Sequence, residues 1–393
     1  MTDWVMTMQT RGSESDQHAI AMWKKTQSLP WLVAAISRVK AESPDARDIL
    51  AAAGKVPISS PAHWMLFYYT NQLNIAGKRL AQARADLDRV LLSPPATLPL
   101  SSANLLRAQR LTIAQNLSEF VRFGIQKPAC LCMTGGIDGV PDDVETIEKT
   151  GVVPDNEPLF TQTAGYLLDR RLPLSALRQL ARDQKIPTKL RAHVAWTSWV
   201  RAVLVGDDAS ARDLAIAMRP FNSRKTGLID KYLSATTAED RKFAATLLML
   251  KFSSATPNAY WGQLDEDSYG DASGWWWGPS PVSQYGDSLE DGLPFEQLHP
   301  LFLTKVEQEQ ASLELKKLAA VPTAPNYFAR NVLAYARNHP ADPRVPEALH
   351  YAVKATRYGA TDEATSPLSK QLFVLLHTRY KSSPWTKKTP YWY

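Results

Sequence analysis

Residues 63–95 read HWMLFYYTNQLNIAGKRLAQARADLDRVLLSPP, and this stretch decides the fold class. Its first half carries large aromatic and aliphatic residues at helical spacing and stops at Gly77. Its second half runs from Arg79 to Leu92 and ends in Ser93-Pro94-Pro95. Two helices joined by so short a turn pack as antiparallel neighbours. The stretch therefore predicts a helical hairpin.

The same helical spacing recurs on both sides of this hairpin. It predicts helices over 16–25, 29–39, 44–53, 101–125, 159–169, 174–183, 189–205, 209–218, 225–233, 295–320, 327–338, 344–358 and 366–380. A capping box formed by Thr236 and Glu239 predicts the start of one more helix, which ends near Lys251. No run of four or more short alternating strands occurs. We therefore expect an all-α fold, an α-solenoid of stacked antiparallel helical hairpins with one long irregular Trp-rich loop.

Two details of the central region sharpen this expectation. The helix through Trp196, Trp199, Val200 and Val203 has the apolar spacing of a helix buried between neighbours. The residues that follow, Gly206-Asp207-Asp208, combine a helix stop with the N-cap of the next helix.

Helical spacing is lost in two long segments, which divide the chain. The expected organisation is an N-terminal helical-repeat block at 1–125, a linker at 126–156, a central helical block at 157–256, an irregular Trp/Asp/Gly-rich loop at 257–294 and a C-terminal helical block at 295–393. Long segments without periodicity are either functional or flexible.

The hairpin at His63–Pro95 resembles a tetratricopeptide repeat (TPR). It has large aromatics in the first helix, a turn at Gly77, small residues at Ala81 and Ala83 in the second helix, and a closing proline. In that family the small residues let the paired helices approach closely. It departs from the repeat pattern at Thr70-Asn71, where a small residue is expected.

The C-terminal block is also TPR-like. The segment from Ala334 to Leu349, with HPADPRVPEAL at 339–349, resembles the hinge between units in bacterial cell-envelope TPR proteins. The segment 379–385, followed by Tyr391-Trp392, is similar to the turn between units in such proteins, although Lys381 stands where they have a proline. Together these matches cover about a quarter of the chain. The resemblance implies a bacterial protein-binding scaffold in a periplasmic or cell-envelope setting and carries over no catalytic residue.

Composition and charge narrow the function classes. Apolar residues make up 45% of the chain and charged residues 21%, which is typical of a globular protein. The net charge is +6, but the basic residues are scattered, with mild clusters at Lys24-Lys25 and Lys387-Lys388. A nucleic-acid partner is not expected, because its binding surface would be a basic stripe with interleaved aromatics. We also expect no transmembrane segment and no signal peptide, since no apolar run is long enough and Met1–Trp4 lacks a basic start.

No metal or cofactor is expected. Cys130 and Cys132 are too close in sequence for an ordinary disulfide and supply at most half of a zinc site. The segment from Asp265 to Asp271 resembles the first half of an EF-hand loop, but Trp276 stands where the bidentate glutamate is needed. A solvated acidic turn is the simpler interpretation.

The candidate binding residues lie in the Trp-rich loop, where aromatic rings stand beside carboxylates: Trp261, Asp265, Asp267, Tyr269, Trp275, Trp276, Trp277 and Tyr285. Such an arrangement suits a glycan or a peptide. The alternative is that the tryptophans are buried and only hold the loop against the helices. Glycoside hydrolysis would need two carboxylates across a cleft, and any acidic loop offers such pairs.

The sequence thus predicts a non-enzymatic helical-repeat scaffold for protein–protein interaction or self-assembly. No G-x-S-x-G or H-E-x-x-H motif occurs, so no catalytic residues are assigned. The alternative is a carbohydrate-binding or carbohydrate-active protein that uses the loop at 257–294.

Overall fold

The computed structural model describes residues 2–127, 129, 158–221, 223–251, 298–358 and 361–392. In these ranges the chain is almost entirely helical, with 19 α-helices, a short 3₁₀ helix at Arg219–Phe221 and one pair of two-residue strands. The all-α prediction is therefore confirmed. The helices are α1 Thr2–Gln9, α2 Ser13–Thr26, α3 Leu29–Arg38, α4 Ala46–Ala53, α5 His63–Ala76, α6 Leu80–Leu91, α7 Leu100–Thr112, α8 Leu117–Gly124, α9 Gln162–Arg170, α10 Leu174–Leu180, α11 Thr188–Val205, α12 Asp208–Met218, α13 Ser223–Ser234, α14 Ala238–Lys251, α15 Lys305–Ala319, α16 Ala324–Asn338, α17 Val345–Tyr358, α18 Thr365–Arg379 and α19 Pro384–Lys387.

The chain forms two compact units. The first comprises Met1–Ala164 and Leu289–Phe302, and the second comprises Gly165–Ser288 and Leu303–Tyr393. The five segments predicted from the sequence are not tested by this division and stay predictions.

In the first unit, successive helices pack against each other from α1 to α8, and α3, α5 and α7 form a second row of contacts. The core is built around α3, whose residues from Trp31 to Ile36 are all buried. Leu66 and Leu73 of α5 extend this core. Strands β1 (Ile125–Gln126) and β2 (Leu159–Phe160) pair antiparallel, with Ile125 opposite Phe160.

In the second unit, α11 is the central helix of the first half and packs against α10, α12, α14 and α15. Its residues are buried without a break from Leu190 to Ala202. Trp196, Trp199 and Val200 lie in the interior as predicted, whereas Val203 is only half-buried. In the second half α16, α17 and α18 pack in sequence, and α14 contacts both α16 and α17.

The helix predicted over 101–125 is wrong as a single element, because the chain stops at Thr112 and restarts at Leu117. The reason is a local cap. The Asn116 side chain accepts from the amide of Glu119 at 2.9 Å, and the Glu119 carboxylate accepts from the amide of Gln115 at 3.0 Å. These bonds replace the helical bonds that a continuous helix would make.

Three other helix starts are corrected. The helix predicted from Leu159 begins at Gln162, since Leu159 belongs to β2. The helix predicted over 295–320 begins at Lys305, where Thr304 forms a capping box with Glu307. The predicted cap at Thr236 moves by one residue, because Thr237 Oγ1 accepts the amide of Asp240 at 3.1 Å.

The predicted turn after α11 is confirmed: Gly206 ends the helix at φ 75°, and the Asp207 side chain accepts from the amide of Ser210. The turn after α5 differs in detail, because the left-handed residue is Lys78 at φ 57°. At Gly77 a Cβ would lie 2.8 Å from Nη1 of Arg79, so the flexible arginine side chain would have to shift. Ala83 is fully buried as a close-packing residue should be, but Ala81 is exposed.

Among the described helices none has the length and hydropathy to cross a membrane.

Candidate functional site

The eight binding residues predicted from the sequence, Trp261, Asp265, Asp267, Tyr269, Trp275, Trp276, Trp277 and Tyr285, lie outside the described residues. Cys130 and Cys132 do too. Their assigned roles stay predictions. Within the described ranges, no group of three or more His, Cys, Asp or Glu side chains is placed to hold a metal ion. Polar side chains come together instead in charged clusters of the second unit and on an aromatic surface at its C-terminal end.

Glu314 of α15 is a buried carboxylate surrounded by donors. The Arg201 Nη2 of α11 lies 2.8 Å from Glu314 Oε2. The backbone amide of Leu174, at the start of α10, donates to both carboxylate oxygens at 3.2 and 3.1 Å, and Gln310 Nε2 donates to Oε1 at 3.2 Å. The first backbone amides of a helix have no hydrogen-bond acceptor within that helix. Glu314 supplies the acceptor for one such amide of α10, that of Leu174. The carboxylate thus joins three helices.

Arg201 is buried even more completely, with 1% of its side chain exposed. Burial lowers the pKa of its guanidinium, and the charges of Glu314 and Asp169 oppose this effect. Its Nε and Nη1 form no hydrogen bond within the described part of the chain. Because an arginine keeps its proton in proteins, this group cannot serve as a general base. The pair is a structural link.

A second charged cluster joins α14 to the turn between α16 and α17. We call Asp240, Tyr335, Asp342 and Arg344 the joint cluster. Arg344 Nη2 lies 2.6 Å from Asp240 Oδ1 and 2.7 Å from Asp342 Oδ2. The Tyr335 hydroxyl donates to Asp342 Oδ2 at 2.9 Å. Each carboxylate is therefore matched by a donor from another part of the chain.

Three members of the joint cluster have pKa values shifted by their neighbours and by burial. Burial would raise the pKa of the Asp342 carboxyl, but hydrogen bonds from Arg344 and Tyr335 lower it to about 2. The hydrogen bond with Asp342 is the largest cause that raises the pKa of Arg344, and burial raises the pKa of Tyr335. The pKa values of Tyr335, Asp342 and Arg344 are all moved away from neutral pH, which does not suit these three groups to general acid or base catalysis.

Aromatic rings complete this joint. The rings of Phe243 and Tyr335 stack with their centroids 3.7 Å apart and their planes at 3°. The His339 ring also stacks with Tyr335, at a centroid distance of 4.3 Å. Glu239 accepts from Asn338 at 2.7 Å and lies 3.2 Å from His339. The segment 339–344 therefore lies in a well-connected joint between α14, α16 and α17.

The C-terminal tail is tied to the helices before it through Thr389. His350 Nδ1 of α17 lies 2.8 Å from Thr389 Oγ1, and that hydroxyl donates to the Trp385 carbonyl at 2.8 Å. His377 Nε2 of α18 donates to the Thr389 carbonyl at 2.8 Å. Thr389 is buried. Hydrogen bonds to two helices therefore fix the path of the tail.

Aromatic side chains of the tail carry cations over their rings. Arg357 lies over the Tyr391 ring at 4.4 Å from its centroid, and Lys388 lies over Trp385 at 4.4 Å. Lys370 lies over Trp392 at 5.9 Å. The rings stay partly open to solvent, since Tyr391 is 54% and Trp392 42% exposed. We call Lys370, Trp385, Lys387, Lys388, Tyr391 and Trp392 the C-terminal surface.

This end of the chain is also strongly basic. Residues 345–392 contain seven lysines and arginines but three aspartates and glutamates. One of these carboxylates, Glu347, is paired with Lys251 of α14 at 2.8 Å. Among the described residues, Lys370, Lys387 and Lys388 have no carboxylate within ion-pair distance and are exposed. The C-terminal surface is therefore cationic and aromatic.

The sequence reasoning treated this segment as a turn between units and missed the surface. Lys387-Lys388 is visible in the sequence as a basic pair between Trp385 and Tyr391. The contribution of Lys370 is not visible in the sequence, because Lys370 comes close to Trp392 only in the folded chain. The interleaving of lysine with aromatics is the signal that could have indicated a binding surface.

Comparisons with protein-family models, curated proteins and solved structures found no match to this chain.

Proposed function

We propose that this chain is a non-enzymatic helical-repeat scaffold, an α-solenoid of stacked helical hairpins that binds another protein or assembles with itself. The observation that carries the proposal is the order of packing. Each helix contacts its successor from α1 to α8, from α10 to α14 and from α16 to α18, while α15 packs against α11. In both units next-but-one contacts are added, as between α5 and α7 or α16 and α18. Stacked helical pairs produce this pattern, and their exposed surfaces serve as binding surfaces.

The charged clusters support a structural role for the interior. Glu314 and the joint cluster each connect helices. Within each of these two sites the hydrogen-bonding groups bind to other groups of the same site. A catalytic centre instead keeps a reactive group available to a substrate.

Exposed aliphatic side chains supply a candidate contact surface. Val306 and Leu313 lie two turns apart on α15 and are 73% and 60% exposed. Residues seven apart lie on the same side of a helix. Two large apolar side chains on one exposed face are typical of a helix that takes part in recognition.

The test is affinity purification of the chain from its native host, followed by reconstitution with the purified partner. We expect a partner that binds with a defined stoichiometry, or self-association in sedimentation experiments, and weaker binding by Val306→Ala/Leu313→Ala. A chain that stays monomeric and alone at micromolar concentration, but turns over a substrate, contradicts the proposal. The carbohydrate alternative depends on residues outside the described ranges and stays a prediction, as does the cell-envelope setting.

A further inference from the structure

The lysines of the C-terminal surface are available to a partner of opposite charge. Lys370, Lys387 and Lys388 are exposed, and within the described residues none of them has a carboxylate partner. They come from α18, from the end of α19 and from the residue that follows it. Two of them lie over rings at this end of the chain, Lys370 over Trp392 and Lys388 over Trp385. Exposed cations without carboxylate partners attract an anionic partner.

The chemistry of these cations indicates which kind of anion. All three are lysines, whose ammonium groups are strongly hydrated point charges without the rigid fork that lets arginine bind a carboxylate through two parallel bonds. Such groups suit a diffuse anionic plane better than a single carboxylate of fixed position.

The aromatic residues narrow the partner further. Tyr391 and Trp392 are half exposed although they are large and partly apolar. Rings with one apolar and one polar end are favoured at the boundary between lipid and water. Lysines beside them can bury their methylene stems and keep their ammonium groups among headgroups.

The tail is held in place before any partner arrives. Hydrogen bonds from His350 and His377 to Thr389 fix the residue that precedes Pro390 and the two exposed rings. Binding would therefore not have to order the tail, and less of the interaction would be lost to entropy.

We propose that the C-terminal surface docks on a membrane surface that carries anionic phospholipid headgroups. This goes beyond the scaffold function and does not depend on it. Basic groups near an anionic leaflet each add to binding through long-range attraction, and the interfacial rings add a salt-insensitive part.

The experiment is co-flotation of the full chain with two kinds of vesicle, one of phosphatidylcholine alone and one of phosphatidylcholine with about 30% phosphatidylglycerol. The buffer has about physiological ionic strength. We expect binding to the anionic vesicles only. The variant Lys370→Gln/Lys387→Gln/Lys388→Gln should lower the partition coefficient by on the order of 100-fold. Tyr391→Ala/Trp392→Ala should lower it less and should remove the fraction of binding that persists at high salt.

The matched control is Lys305→Gln/Lys316→Gln/Lys317→Gln, which removes the same charge from exposed positions of α15. It should bind like the wild type, and thermal unfolding should show that all variants are folded. Three results would overturn the proposal: equal binding to both vesicle types, an equal loss in the control, or tighter binding to a poly-glutamate peptide or single-stranded DNA than to anionic vesicles.

Discussion

Arg201 carries its charge in the interior of the second unit, and Glu314 is the ion-pair partner that makes this possible. Two groups this deeply buried have lost their hydration, so the pair is stable only while both members are present. The other donors to Glu314 also depend on its carboxylate, because the Leu174 amide has no partner within its own helix.

We therefore expect Glu314→Ala to lower the free energy of unfolding by about 3–5 kcal/mol, since it leaves the Arg201 charge buried and unpaired. Urea denaturation followed by circular dichroism measures this. The double variant Arg201→Met/Glu314→Met should lie much closer to the wild type, because it removes the charge together with its partner. A double variant as unstable as Glu314→Ala would show that the unpaired Arg201 charge is not the cause, and that packing or the lost acceptor of the Leu174 amide is.

His350 makes the attachment of the tail depend on pH. Burial lowers the pKa of His350 from its usual 6.5, the positive charges of Lys354 and Lys388 lower it further, and Glu347 acts in the opposite direction. The folded chain thus favours neutral His350. Its stabilising contribution is complete above pH 6.5 and is lost as the pH falls from 6.5 through the lowered pKa.

The prediction is that the wild type loses more stability between pH 7.5 and 5.5 than His350→Gln does, and that protection of the amides near Thr389 from hydrogen exchange falls in the same range. Asp342 cannot produce this effect. Its pKa is lowered to about 2, so its contribution is lost only as the pH falls below its usual 3.8. Identical pH profiles for the two proteins would rule His350 out as the cause.

Among the elements, the pair α7 and α8 shows how one side chain divides a helix. Asn116 supplies the cap, and Glu119 completes it from the first turn of α8. Glu119 also lies 3.0 Å from Arg110 of α7, so the two helices remain linked across the break.

Replacing Asn116 by Ala should cost about 1 kcal/mol of stability, because the Glu119 amide loses its acceptor. Asn116→Asp should keep most of it, since aspartate caps helices equally well. Chemical denaturation of the two variants side by side gives the comparison. If both are equally destabilised, the geometry of the turn matters more than the hydrogen bond.

Sequence periodicity located the helices well but placed several of their ends badly. The burial of α11 was predictable, because many apolar residues along this helix repeat at the same helical spacing. Helix starts depend on single hydrogen bonds. Spacing alone cannot decide whether Thr236 or Thr237 caps α14, and it cannot reveal the break at Asn116.

The C-terminal surface was predictable only in part, for a similar reason. The lysine pair at 387–388 is local in sequence, but the contact of Lys370 with Trp392 and the bonds of Thr389 require α17, α18 and the tail to be folded together. The binding residues predicted in the Trp-rich loop rest on local composition, which contains no information on tertiary contacts.

For the whole molecule, the division into two compact units has a thermodynamic consequence. Each unit has its own buried core, with α3 in the first and α11 in the second. Chains of this kind depart from all-or-none unfolding. Differential scanning calorimetry should show a van't Hoff enthalpy below the calorimetric enthalpy, and Glu314→Ala should shift only the transition of the second unit. A single two-state transition would mean that the units unfold together.

The joint cluster also places a constraint on how this sequence can evolve. Asp240 and Arg344 are 104 residues apart in the chain, yet their side chains meet at 2.6 Å with Asp342 and the Tyr335 hydroxyl beside them. Loss of Arg344 would leave the carboxylates of Asp240 and Asp342 facing each other without the cation between them. Loss of Asp240 alone would remove one of the two acceptors of Arg344. Substitutions at these two positions should therefore occur together in descendants of a common ancestor. Correlated change between them would be a record of the joint that can be read from sequences alone.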